Sequence, residues 1–172
     1  ELHPQEYRAL VANLAPWGAH IHQRDGFDLA LALTPPTPRR GLMLIDPSYE
    51  MKADYAKTLT ALREGVRRFA TGTFIVWYPQ IQTVESTQLP KRLMTAAGAA
   101  SNGWLHASLT VARAAPGGFG MTGSGVLVVN PPFTLAAQLR ETLPWLAKHL
   151  SSDGQGKFVV QEGRPTKPAA KT

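Results

Sequence analysis

The tetrapeptide Asp46-Pro47-Ser48-Tyr49 directly follows the apolar run Gly41 to Ile45. A carboxylate, the carbonyl of a ring-constrained residue and a planar aromatic are thereby delivered together at the end of one element. That set suits an amino group conjugated to an aromatic ring, such as the exocyclic amine of adenine. The lone pair of such an amine is delocalised into the ring and badly aimed for attack on a methyl donor. Two acceptors, the Asp46 carboxylate and the Pro47 carbonyl, can hold both N–H groups and favour localisation of the lone pair toward the donor. Tyr49 is expected to stack on the base, which must leave its helix or come from an unpaired segment to reach such a pocket. Pro47 also biases Asp46 toward extended backbone. Asp and Pro are common turn residues, so the same four residues also read as a plain strand-ending turn.

A competing constellation is Asn130-Pro131-Pro132-Phe133, again directly after an apolar run. It is ranked second because it lies late in the chain, where two neighbouring strands point to the sheet edge, and it also reads as a rigid stop before a helix. Two further acids precede or end short elements. Glu1 is placed to bind ribose hydroxyls, as acids at strand ends do in dinucleotide-type folds. Asp25 can accept from an adenine amino group, with Gly26 allowing close approach of backbone to ligand. Each also reads as a helix cap or turn. His20 and His22 share one face of an alternating stretch but have no evident carboxylate partner, so no metal site is expected. Ser101, Ser108 and Ser124 lack a nucleophile-elbow context, and no P-loop is present. Arg39-Arg40 and the cluster Arg63, Arg67 and Arg68 are candidate phosphate contacts, the cluster equally a solvated helix face.

The elements that must position these residues follow from periodicity. Tyr7, Leu10, Val11 and Leu14 mark a helix over Pro4 to Leu14. Ala19 to Arg24 alternates as a short strand, Phe27 to Leu33 makes two helical turns, and the Pro-rich stretch Thr34 to Arg40 is a loop. Gly41 to Asp46 and Thr73 to Tyr78 read as strands buried on both faces, the second stopped by Pro79. Between them Tyr55, Leu59, Leu62, Val66 and Phe69 form the most regular helical stripe in the chain, with Asp54 favouring its start. A helix to about Ala100 follows. Trp104 to Ala112 alternates as a strand, Ala115 to Gly125 is a glycine-rich connection, and Val126 to Asn130 is another strand. Leu135, Leu139, Leu143, Leu146 and Leu150 mark the last long helix, interrupted by Pro144, and Lys157 to Gln161 closes as an edge strand. Helices and strands alternate, which predicts an open α/β sheet, mostly parallel with an antiparallel edge strand. Ligands in such sheets gather at the carboxyl ends of the strands, where Asp46 stands.

Composition sets the outer limits. The 172 residues suffice for one domain. With 44% hydrophobic and 17% charged residues, wholesale disorder, collagen and coiled coil are excluded. Cysteine is absent, which removes disulfides, thiolate metal sites and cysteine nucleophiles and points to a reducing cytoplasm. No apolar run reaches the length of about 18 residues that a membrane helix needs, and Glu1 to Tyr7 lacks an export-signal pattern. The net charge of +6 favours a polyanionic partner. Half of that excess, Arg164, Lys167 and Lys171, sits in a basic tail over 163–172, leaving 1–162 as the folded domain.

The segments GLMLIDPSYEMKADY, EGVRRFATGTFIVWYP, MTGSGVLVVNPPF and LPWLAKHL occur in an order and spacing that resembles the RlmJ family of bacterial large-subunit ribosomal RNA adenine-N6 methyltransferases. The similarity runs from Glu1-Leu2-His3-Pro4 to the last strand. It implies a Rossmann-like class I methyltransferase sheet, S-adenosylmethionine as cofactor, no metal, and ribosomal RNA as partner. The family's Asp-Pro-Pro-Tyr motif maps its active-site residues onto Asp46, Pro47 and Tyr49. Its donor-binding positions map onto Glu1, Asp25, Gly26 and Asp46, and Asn130-Pro131-Pro132-Phe133 matches a late strand end outside the catalytic motif. Ser48 departs from the family's proline, which relaxes the backbone of Pro47. The family also carries a portion ahead of Glu1 with the first strand and a glycine-containing turn. Residues 1–162 are therefore expected to be the carboxy-terminal part of a catalytic domain, with a sheet incomplete at its N-terminal side, apolar edges exposed and weak donor binding. Methylation of DNA adenine is the alternative activity, because the motif reads a planar amine rather than a polymer. A catalytically inactive nucleic-acid-binding module is the alternative outside enzymes.

Overall fold

The computed structural model describes residues 1–115, 117–118 and 120–165. The elements are α1 (Pro4–Leu14), α2 (Gly26–Ala32), β1 (Leu42–Ile45), α3 (Lys52–Arg68), β2 (Thr73–Gln80), α4 (Val84–Ala96), β3 (Trp104–Thr110), β4 (Gly123–Val129), α5 (Leu135–Leu150) and β5 (Lys157–Gly163). The five strands form one sheet in the order β1-β2-β4-β3-β5. The chain is α/β, as expected, and β5 is the expected antiparallel edge. The balance of directions differs from the expectation. Only β1 and β2 pair in parallel, whereas the β2–β4, β4–β3 and β3–β5 ladders are antiparallel. The cause is the placement of β4, which follows β3 in the chain, runs back antiparallel to it and inserts between β2 and β3.

Side-chain alternation shows which face of the sheet is covered. Phe74, Val76 and Tyr78 of β2 point into a core shared with Leu59, Leu62 and Val66 of α3 and Leu89 and Leu93 of α4. The period-two pattern of β2 meets the 3.6-residue stripe of α3 there. Burying a side chain such as Leu62, fully enclosed in this layer, contributes about 1.5–3 kcal/mol. On the other face α5 packs against β3 and β5. It does so through Ala136, Leu143 and Ala147, while Leu150 at the end of the expected leucine stripe is exposed.

That division corrects the reading of β1 as buried on both faces. Ile45 is enclosed, but Leu42 and Leu44 are 63% and 60% exposed, and β1 is a free edge among the described residues. Four further expectations are corrected. Ala19 to Arg24 is not a strand, because no described segment pairs with it. Pro79 does not stop β2, which continues to Gln80; its carbonyl accepts from Ser86 Oγ at 2.8 Å. The strand beginning at Val126 starts three residues earlier, at Gly123. Gly163, assigned to the tail, is the last residue of β5, and 166–172 lie outside the described residues.

Candidate active site

Asp46 is the first residue after β1, and the parallel pairing places it level with the carboxyl half of β2. Pro47 holds the chain extended through this point. The loop then turns inward at Tyr49, whose φ of 56° is left-handed and unusual for an aromatic residue. Tyr49 is held there by burial and by one hydrogen bond: it is 5% exposed, and its hydroxyl donates to the Trp77 carbonyl at 2.7 Å. Its ring packs against Tyr55, with centroids 4.8 Å apart. Burial pushes its phenol well above the ordinary range, so it stays protonated and able to donate. The stacking role expected of Tyr49 is therefore corrected. The ring faces the core, and its job is to anchor the loop that presents Asp46 and Pro47.

A second loop meets the first. Asp25 caps α2 by accepting from the Phe27 N–H at 2.8 Å, which is the first cause of its lowered pKa, and Lys57 of α3 adds a 3.3 Å ion pair. The Lys57 ammonium also sits over the Phe27 ring, 5.6 Å from its centroid. Between the two loops lies a pocket of about 260 Å³ lined by Asp25, Gly26, Phe27, Met43, Asp46 and Pro47 among others. Four of the residues singled out by the sequence, Asp25, Gly26, Asp46 and Pro47, are thus brought together although 21 positions separate the two acids. Asp46 is exposed at the rim and has no hydrogen bond or ion pair among the described residues, so both carboxylate oxygens are available to a ligand.

The remaining candidates fall elsewhere. Glu1 is exposed, accepts from the His3 N–H at 2.7 Å, and does not line this pocket. Asn130 is not at a sheet edge, because β4 is an interior strand, and its antiparallel direction sends Asn130 to the end of the sheet opposite Asp46. There its side chain is a lock. The amide donates to Ala70 O at 2.8 Å and Gly72 O at 2.6 Å, and its oxygen accepts from the Asn102 N–H at 2.7 Å. Phe133 beside it is 97% exposed. No group of three or more metal-ligating side chains occurs among the described residues, and no described helix is long and apolar enough to cross a membrane.

The arginines divide. Arg39 donates to Arg68 O, Arg68 to Leu31 O, and Arg67 is paired with Glu64, so three of the candidate phosphate contacts are committed within the fold. Sequence reasoning missed Phe27 and Lys57. Lys57 had the look of a solvated residue off the apolar stripe, and nothing local announces a partner 32 positions away.

Comparison with known proteins places the chain among relatives. Residues 1–161 match the family described as ribosomal RNA large subunit methyltransferase D, RlmJ. Ribosomal RNA large subunit methyltransferase J of Haemophilus influenzae is 41% identical over 162 residues, which cover 94% of this chain and 56% of the relative. The protein of the same description from Escherichia coli K12 is 38% identical over 161 residues, covering 93% and 56%. A crystal structure of a Legionella pneumophila protein superposes with a TM-score of 0.80 at 30% identity, over 95% of this chain and 59% of that one. The chain spans just over half the length of the curated relatives it matches.

Proposed function

The chain belongs to the RlmJ family of ribosomal RNA large subunit methyltransferases, and from that membership we propose that it receives an adenine of large-subunit ribosomal RNA for methylation at the N6 amine. S-adenosylmethionine is the donor in this reading, and the cytoplasm its setting. The observation that carries the reading is the unpartnered Asp46 carboxylate beside Pro47, in one pocket with Asp25 and Gly26.

The residues present fit such a donor. Asp25 keeps lone pairs beyond those used by the Phe27 N–H and Lys57, and open space lies beside Gly26, where an added Cβ would meet nothing within 4 Å. Asp25 and Gly26 would hold the donor's base against the apolar wall of Phe27 and Met43, with Asp46 contributing at the shared rim. Glu1 would contact the donor's ribose by the family resemblance, from outside this pocket. When bound, the donor supplies an electrophilic methyl group.

The chain's own residues act on the amine. The Asp46 carboxylate and the Pro47 carbonyl accept its two N–H bonds, which draws the nitrogen lone pair out of conjugation and aims it. The negative charge of Asp46 also offsets the positive charge that develops on nitrogen as the N–C bond forms. Tyr49 is a positioning residue that fixes the loop through Trp77.

Digestion of the reacted polymer to nucleosides, followed by mass spectrometry, tests the assignment. N6-methyladenosine from unmodified large-subunit RNA, and not from DNA of the same sequence, is the expected product. A methyl group on another atom or base sinks the proposal.

A further inference from the structure

The side of the sheet covered by α3 and α4 carries a second concavity, along the seam between these two helices. It measures about 490 Å³, and its lining includes Arg63 from α3 and Lys91 and Arg92 from α4, with no carboxylate. All three cations are exposed, and none makes an ion pair or side-chain hydrogen bond among the described residues. The nearest acids in sequence are spent elsewhere, Glu64 on Arg67 and Glu85 on Lys52. The floor is low, built from residues such as Ala96, Gly98 and Ala99. Three positive charges over small residues, with no carboxylate in the lining, suit a densely anionic chain that lies along the seam.

The seam begins at the sheet end that carries Asp46. β1 and β2 run in parallel, so α3 and α4 both start just beyond the sheet end that carries Asp46. At about 1.5 Å per residue, Arg63 lies ~16 Å along α3 from Lys52, and Lys91 ~10 Å along α4 from Val84. A chain with one base in the Asp46 pocket reaches this distance within a few nucleotides.

We infer that the α3–α4 groove binds the sugar–phosphate backbone of the RNA flanking the target base, an inference that rests on the RNA-methyltransferase reading above. The groove supplies affinity and register through charged groups that contact the phosphate backbone.

Fluorescence anisotropy of a labelled large-subunit RNA hairpin, titrated across a range of KCl concentrations, tests it. The triple variant Arg63→Gln, Lys91→Gln, Arg92→Gln is compared with a charge-matched triple on other exposed sites, Arg8→Gln, Lys148→Gln, Lys157→Gln. Loss of three phosphate contacts lowers the slope of log K against log salt by about 2 to 3, which is about 100- to 1000-fold in affinity at 0.1 M salt and only about 4- to 8-fold at 0.5 M. The control triple is expected to keep most of the parent slope, and Arg63→Lys with Arg92→Lys to keep nearly all of it. Equal slopes in the two triples overturn the groove, as does absence of RNA binding by the parent. RNA binding that depends on the groove, without any methyl transfer, leaves the groove standing and removes the enzymatic reading.

Discussion

Tyr49→Phe separates the two roles this residue could play. If its ring stacked on a base, phenylalanine would stack equally well and the free protein would be unchanged in stability. If it anchors the loop, the variant loses the 2.7 Å bond from its hydroxyl to the Trp77 carbonyl. That carbonyl lies one residue beyond the last β1–β2 pair, Ile45 with Val76, where the parallel ladder has ended. Deletion of one buried hydroxyl partner costs about 1–2 kcal/mol, because the remaining acceptor is left without a donor. For a chain of this size each kcal/mol moves the melting temperature by about 2–4 °C, so the expected fall is about 2–8 °C. Tyr49→Ala, which also removes the contact with Tyr55, costs more, about 3–5 kcal/mol. Thermal denaturation followed by circular dichroism, with a parallel urea titration, reads both. A Tyr49→Phe melting temperature within about 1 °C of the parent would refute the anchor and return the ring to the ligand side.

Other perturbations follow from the same structure. Asn130→Ala removes three hydrogen bonds that tie Asn102, Ala70 and Gly72 together; a loss of at least about 3 kcal/mol in urea denaturation, with methyl transfer per folded molecule unchanged, is expected, and loss of transfer without loss of stability would make Asn130 a site residue. Burial lowers the pKa of the His106 imidazole, which is 2.6 Å from the Tyr78 hydroxyl. Its folded pKa lies below the unfolded value of about 6.5, so its contribution is complete above that pH and is lost as pH falls toward the folded value, by at most about 1.4 kcal/mol per pH unit. His106→Gln should flatten the dependence of the urea midpoint between pH 7.5 and 5.5, and an unaltered dependence would assign it to other groups. Ser48→Pro restores backbone restriction to Pro47; steady-state kinetics should show a higher turnover, and an equal or lower one would count against the two-acceptor account.

Much of the architecture was legible because local periodicity and tertiary packing agree. The stripe Tyr55 to Phe69 gave α3 and its buried face, and the apolar run ending in Asp46-Pro47 placed a carboxylate at a strand end. What stayed hidden depends on partners distant in sequence. The interior position of β4 follows from its pairing with both β2 and β3, which no local pattern encodes, so the sequence alone points Asn130 to an edge whereas it stands at the end of an interior strand, opposite Asp46. Tyr49 looks like an exposed loop aromatic until its left-handed backbone and the Trp77 carbonyl turn it inward. Ala19 to Arg24 alternates well, yet alternation makes a strand only where another strand offers its ladder. Arg39 and Arg68 read as free charge and instead satisfy backbone carbonyls, which leaves Arg63 as the cluster member that faces the α3–α4 groove.

The central claim is that Asp46 and Pro47 hold the amine that is methylated. Single-turnover transfer of labelled methyl from S-adenosylmethionine to unmodified large-subunit RNA tests it most directly, with this chain alone and joined to the remaining part of a relative, each with and without Asp46→Ala. The account predicts transfer that falls by about 100-fold or more in the Asp46→Ala variant while RNA affinity stays the same. Transfer at the parent rate in Asp46→Ala would contradict it.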